Sequence, residues 1–239
     1  EEVEVHWSPV WRNSDRYDGG VMASIYDCSV EAELLAGMRL ARMAIGRGDL
    51  VVVPTDTVYG LAADAFNPGA VAKLLAAKGR TRQSPPPVLV PGIPTLDALA
   101  EAVPDEVRAL VAAYWPGGLT VILPANSSLA WDLGETRGTV ALRMPDNRIC
   151  LELLSETGPL AVSSANLTRE PAATTAAGAQ AMLGESVAVY LDGGEGGTLA
   201  STIVDATALE SVGGKLRIVR HGAIPAEDIR ALVGADRCE

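Results

Sequence analysis

Residues 48–69 read Gly48-Asp49-Leu50-Val51-Val52-Val53-Pro54-Thr55-Asp56-Thr57-Val58-Tyr59-Gly60-Leu61-Ala62-Ala63-Asp64-Ala65-Phe66-Asn67-Pro68-Gly69. The run Leu50–Pro54 is short, apolar and rich in valine, as a strand buried on both faces must be. Upstream, Val30–Arg47 carries apolar residues at helical spacing and is stopped by Gly46 and Gly48. Downstream, Asn67-Pro68 is a helix start: asparagine caps the first free N–H groups, and proline fits the first helical position. That helix is predicted to run to about Lys78.

The same alternation extends outward. Val88–Val90, Leu119–Pro124, Thr139–Met144, Leu160–Ser163, Val187–Asp192, Thr202–Asp205 and Leu216–Arg220 read as strands. Pro104–Tyr114, Asn147–Glu156, Thr175–Leu183 and Pro225–Val233 read as helices. Strands and helices interleave with no repeat and no long linker, which predicts a single α/β domain. Some strands follow one another too closely for a helical crossover, so the sheet is expected to be mixed parallel and antiparallel. Residues 1–21 show neither periodicity. They are expected to be a lead-in, an expression remnant or an upstream extension, with the domain spanning 22–239.

Composition narrows the function. A chain of 239 residues with 48% hydrophobic content can bury a full core. Its net charge of -11 and 4% aromatic content argue against a broad grip on nucleic acid and against base-stacking platforms. Cys28, Cys150 and Cys238 lie far apart, and His6 and His221 are the only histidines, so no metal site of cysteine and histidine is expected. No run approaches the ~20 apolar residues of a membrane span. No secretory pattern is present either, and the expected location is the cytoplasm.

Against this acidic background, Lys78, Arg80 and Arg82 place three cations in five residues, and Lys78 is one of only three lysines. Such a cluster can bind a small polyanion, although cations at a helix C-terminus also offset the helix dipole. Four polar segments sit at the ends of predicted strands, where α/β sheets place their sites. They are Pro54–Leu61, Lys78–Pro85, Ser163–Asn166, and Ser201-Thr202 together with Arg220-His221-Gly222. Hydroxyls and amides there can hold a carboxylate, a hydroxyl or a phosphate, and the same residue types also close turns. There is no Gly-x-x-x-x-Gly-Lys-Ser/Thr and no Gly-x-Ser-x-Gly. Gly193–Gly197 is followed by a strand rather than a helix, so it is not a dinucleotide fingerprint.

Seven motifs occur in order: Pro54–Leu61, Lys78-Gly79-Arg80 with Pro85, Trp115–Thr120, Val140–Pro145 containing Arg143, Ser163–Asn166, Ser201–Asp205 and Arg220-His221-Gly222. Together they resemble the YrdC-like threonylcarbamoyl-AMP synthase family, of the short single-domain type, from roughly Val30 to Val233. The resemblance implies a twisted mixed sheet with a concave, locally basic face. It implies an enzyme, a nucleotidyltransferase that converts L-threonine, bicarbonate and ATP into threonylcarbamoyl-AMP and pyrophosphate. The product would pass to tRNA threonylcarbamoyl-transfer proteins that modify the adenosine beside the anticodon, with weak tRNA binding a further possibility.

By the same resemblance, Lys78 and Arg80 would be catalytic. Thr57, Arg143 and Ser201 would hold threonine, and Arg80, Ser84, Thr139, Ser164, Asn166 and Arg220 would hold ATP. Mg²⁺ is expected on the phosphates, with no protein metal site. Many relatives carry a histidine where this chain has Leu89, and the Pro85–Pro87 run is unusual. The alternatives are a related carbamoyl-transfer protein that binds nucleotide, and an RNA-binding module.

Overall fold

The computed structural model describes residues 24–239. The expected lead-in, residues 1–21, lies outside the described residues. In chain order the elements are β1 (Ser24–Asp27), α1 (Glu31–Gly46), β2 (Val51–Val53), β3 (Gly60–Asp64), α2 (Pro68–Ala77), β4 (Val88–Leu89), α3 (Ile93–Leu99), α4 (Asp105–Tyr114) and β5 (Leu119–Pro124). They continue with β6 (Thr139–Arg143), α5 (Arg148–Thr157), β7 (Leu160–Ser164), α6 (Ala176–Leu183), β8 (Val189–Asp192), β9 (Thr202–Asp205), β10 (Arg217–Arg220) and α7 (Ala226–Val233). Among the described residues the strands join one ten-stranded sheet in the order β1-β8-β2-β3-β7-β4-β6-β5-β9-β10.

The sheet is mixed, as the short connections require. β8 pairs in parallel with β1 and β2, β4 with β6, and β5 with β9. β3 runs antiparallel between β2 and β7, β7 antiparallel to β4, and β5 antiparallel to β6. Three elements escaped the sequence reading. β1 is only four residues long, α3 opens on Ile93-Pro94 and is a brief turn of helix, and β3 is Gly-Leu-Ala-Ala-Asp. Alanine favours helix, so β3 is a strand because β2 and β7 pair with it on both sides. Gly60 suits that slot, since a Cβ there would stand 2.6 Å from Val162 Cγ1.

The side-chain period of two separates the core by faces. On one face, α2 and α6 cover Val52, Leu61 and Ala63, and α3, α4 and α7 cover Val88, Ala161, Val121, Leu142 and Val204. On the other face, α1 and α5 cover Val51, Val53, Ala62, Leu160 and Val162. The register carries that second face onward through Leu89 and Arg143 of β4 and β6, Ile122 and Thr120 of β5, and Ile203 of β9. There the helical layer stops, and a cavity takes its place.

Helix α2 delivers the cation cluster to that cavity. Asn67 Oδ1 accepts from the Ala70 N–H at 3.1 Å and caps its start. At its end Gly79 has φ +65°. The Gly79 N–H reaches Ala76 O at 2.9 Å, and the Arg80 N–H reaches Leu75 O at 2.8 Å. This is a Schellman motif, which uses glycine in the left-handed region to reverse the chain. Lys78 is thereby left on the inner side of the last turn, and Arg80 emerges past it.

Removing the cap tests the first half of this delivery. Asn67→Ala is expected to cost about 1 kcal/mol, which for a chain of this size lowers the melting temperature by roughly 2–4 °C. A thermal melt checks this, and an unchanged midpoint would show that packing alone fixes the start of α2.

Candidate active site

The cavity holds about 530 Å³, within the usual range for a small-molecule site. Its walls come from five places that the sequence separates. These are the Thr55–Gly60 connection, Arg80 with the Pro85–Pro87 run, the exposed face of β5, β6 and β9, and the segments around Ser163–Asn166 and Thr198–Ser201.

Arg143 ties the first and third walls together. It is 7% exposed. Its Nε donates to Gly117 O at 2.9 Å, Nη1 to Thr57 Oγ1 at 2.8 Å and Nη2 to Asp56 Oδ1 at 2.5 Å. Asp56 Oδ1 also accepts the Asp146 N–H at 2.9 Å. Asp56 occupies one prong, because a charge this deeply buried needs a carboxylate partner. Each terminal nitrogen keeps a second N–H for a ligand. Burial lowers the pKa of Arg143, and Asp56 opposes that shift. Thr57 is oriented further by Thr55, whose Oγ1 accepts the Thr57 N–H at 3.2 Å and lies 3.1 Å from Thr57 Oγ1.

Ser201 is fixed by an equivalent arrangement. Arg220 Nε donates to Ser201 O at 2.9 Å, and Arg220 Nη2 donates to Ser201 Oγ at 2.8 Å. Thr120 Oγ1 and Ser201 Oγ share a hydrogen bond of 2.8 Å. Arg80 Nη1 donates to Ser163 Oγ at 3.1 Å across the cavity's other side. The guanidinium groups of Arg80, Arg143 and Arg220 thus face one space. Burial depresses the pKa of Arg220 first, followed by the charges of Arg143 and Arg80. In a chain of net charge -11, this is a local concentration of positive potential inside low-dielectric walls.

The other expected site residues divide. Thr139 and Ser164 line the cavity. Ser84 is exposed and lies outside the lining, one residue before the wall begins at Pro85. The Thr81–Ser84 turn, closed by the Ser84 N–H to Thr81 O at 3.1 Å, carries its side chain to the surface. Asn166 borders the cavity, but its side chain is engaged inward. Its Oδ1 accepts from Lys78 Nζ at 3.2 Å, and its Nδ2 donates to Leu167 O at 2.9 Å and Glu170 O at 2.7 Å.

Lys78, expected to be catalytic, is turned away from the cavity. It is 1% exposed and absent from the cavity lining. Its Nζ donates to Ser164 O, to Asn166 O at 2.6 Å and to Asn166 Oδ1. Burial, then the charge of Arg80, pulls its pKa down to about 7. The three oxygen acceptors act the other way, because they favour the charged form.

Ser163 and Leu89, both marked in the sequence, line the cavity, and so do Thr120, Ile122 and Val162, which were not singled out as ligand contacts. For Thr120 a signal existed: it is a polar residue alternating with Leu119, Val121 and Leu123 on a predicted strand. For the segment bearing Leu133 and Thr136 there was none. It reaches the cavity because Arg82 and Asp132 pair in a two-pronged contact at 2.8 and 2.9 Å and Trp131 stacks on Phe66 with centroids 5.4 Å apart. Among the described residues no group of three or more His, Cys, Asp or Glu side chains could hold a metal ion.

Comparisons with known proteins agree with this architecture. The family model Sua5_yciO_yrdC, described as "Telomere recombination", matches residues 43–222. The chain is 46% identical over 216 residues to a protein of Mycobacterium tuberculosis named putative threonylcarbamoyl-AMP synthase, covering 90% of this chain and 97% of that one. It is 36% identical over 196 residues to the threonylcarbamoyl-AMP synthase of Bacillus subtilis, covering 81% of this chain but only 56% of that protein. The structure of P. abyssi Sua5 complexed with L-threonine superposes with a TM-score of 0.79 at 31% identity, over 91% of this chain and 63% of that one. E. coli YciO shares the fold, with a TM-score of 0.74 at 20% identity. By sequence and by fold, this chain belongs to the Sua5/YciO/YrdC family.

Proposed function

We propose that the cavity is the active site of a threonylcarbamoyl-AMP synthase. The observation that carries this reading is the convergence of Arg80, Arg143 and Arg220 on one walled space, with Thr57 and Ser201 each held by one of those guanidinium groups. The names of the relatives support the same activity.

The chemistry explains why such a site is needed. The amino nitrogen of threonine adds to bicarbonate carbon, water leaves, and a carbamate forms. A carbamate oxygen then attacks the α-phosphorus of ATP. The bond from that phosphorus to the bridging oxygen of the β-phosphate breaks, and pyrophosphate departs. Two anions must meet, and at 4 Å two like charges repel by about 1 kcal/mol in water and about 4 kcal/mol at an effective dielectric of 20. Fixed guanidinium groups offset this without reorganising.

Arg80 and Arg220 supply charge on the nucleotide side, with Ser164 and Thr139 as polar contacts. The second N–H of each Arg143 terminal nitrogen suits the threonine carboxylate, with Thr57 and Ser201 within the same wall. Mg²⁺ held by the phosphates would neutralise further charge there. The reaction belongs in the cytoplasm, and the product is a mixed anhydride suited to transfer onto a tRNA adenosine by partner proteins. Among the described residues no helix is long and apolar enough to cross a membrane.

The direct experiment incubates the chain with ATP, Mg²⁺, bicarbonate and single amino acids and identifies the products by mass spectrometry. Threonylcarbamoyl-AMP with pyrophosphate, dependent on both threonine and bicarbonate, is the expected result. ATP consumption independent of either would overturn the reading.

Arg80→Ala is expected to lower pyrophosphate release by about 10²-fold, the typical loss for one preorganised electrostatic contact. Arg80 is only half-buried, so the melting temperature should stay within about 2 °C of the parent. Near-normal turnover would remove Arg80 from the machinery.

Amino-acid choice tests the hydroxyl contacts. If Thr57 or Ser201 bonds the substrate hydroxyl, valine should be rejected by about 10⁴-fold, whereas serine, lacking one methyl, should lose roughly 10- to 200-fold. Leu89 is buried in the cavity wall and favours the methyl. Pyrophosphate release with the three amino acids at matched concentration decides this, and valine turning over as well as serine would show that the hydroxyl is not read.

A further inference from the structure

Lys78 grips one loop from two ends. Its ammonium meets Ser164 O, Asn166 O and Asn166 Oδ1. Its own carbonyl accepts the Thr168 N–H at 3.1 Å and Thr168 Oγ1 at 2.7 Å. An ammonium has three N–H donors, and here they meet three oxygen acceptors. Asn166 is committed in turn through Leu167 O and Glu170 O. The turn from Ser164 to Glu170 is therefore folded around one buried cation. The outer side of that turn is cavity wall, and it joins Ser163, which receives Arg80 at 3.1 Å.

To reach a phosphate in the cavity, the ammonium would have to leave these acceptors. Each buried carbonyl stranded in this way loses its partner and resists the move. The oxygens around Nζ are instead the kind that a small monovalent cation takes from a protein backbone.

We propose that Lys78 is a positioning residue: its ammonium acts as a tethered monovalent cation that folds the Ser164–Asn166 turn around three oxygens, setting the wall against which Arg80 is held, and it does not touch substrate. This rests on the cavity being the active site proposed above.

Two measurements test it, one of them independent of activity. In Lys78→Ala the oxygen cradle remains and the side chain leaves a space, so ammonium chloride should refill the site. The variant should lose about 10²-fold in pyrophosphate release, the scale of a misplacement of roughly 1 Å, and ammonium should restore about tenfold of that. Ammonium should also raise the melting temperature of Lys78→Ala. Neither gain is expected with tetramethylammonium chloride at equal ionic strength, and neither in Lys78→Met, whose side chain fills the space. Equal rescue of both variants, or none in either, would overturn the proposal.

The second measurement uses the unaltered chain, so a variant that fails to fold does not block the test. Lysine acylation is followed by mass spectrometry with and without ATP, with exposed Lys73 and Lys215 as internal references. Lys78 is expected to stay unlabelled in both conditions. Labelling without ATP and protection by ATP would make it a nucleotide ligand instead. If the chain makes no threonylcarbamoyl-AMP at all, the functional reading fails, while the melting and acylation results still decide the role of Lys78.

Discussion

Arg143 is a charge taken almost wholly out of water, and the site is assembled around the partners that keep it there. Asp56, Thr57 and Gly117 come from two connections far apart in sequence, and one guanidinium joins them to β6. Stripping one partner from a buried ion pair generally costs about 3–5 kcal/mol, because the other charge stays behind uncompensated. The geometry of Thr57 and the placement of Asp56 are thus not adjustable independently of Arg143. The arrangement also leaves one N–H on each terminal nitrogen of the guanidinium outside these three bonds.

The second constraint is one of coverage. A mixed sheet with apolar residues on both faces needs a layer on each side. One face is covered along its length by α2, α6, α3, α4 and α7, and the other only where α1 and α5 reach. Where they end, Thr120, Thr139 and Arg143 join Leu89, Ile122 and Ile203 on the outward-facing strand positions, and Ser201 stands just before β9. The cavity is the uncovered part of the sheet, walled by connections rather than by a helix. Thr120 lies on β5 and Ser201 immediately precedes β9, which pairs with β5 in parallel, so two residues 81 positions apart share a hydrogen bond.

The cations divide their labour by depth. Arginine, planar and weakly hydrated, lines the space where anions meet. Lysine, compact and with three donors, is turned inward to satisfy backbone oxygens. The Schellman turn at Gly79 separates them, placing Lys78 on the last helical turn and Arg80 beyond the reversal. Three cations in five residues therefore do three things: Lys78 holds a loop, Arg80 faces the cavity, and Arg82 pairs with Asp132 at the surface.

Much of this was legible in the chain itself. The cap at Asn67-Pro68, the glycine stops after α1 and α2, and the alternation in β5 define local structure through backbone sterics and side-chain period, and those act within a few residues. The order of polar segments pointed to the family and to most of the cavity residues. Other features were not local. β3 is a run of small residues with no strand preference, and only its two neighbours make it one. Ser84 and Thr139 look alike in sequence as small polar residues, yet a tight turn sends one to solvent and strand register sends the other into the wall. Above all, a lysine beside arginines reads as a ligand for anions. Which way its ammonium points depends on the carbonyl oxygens of residues 164 and 166, which the chain brings to it only when β7 closes against β3 and β4. Residue type determined that a cation and its chemistry were present, and tertiary structure decided which oxygens it would meet.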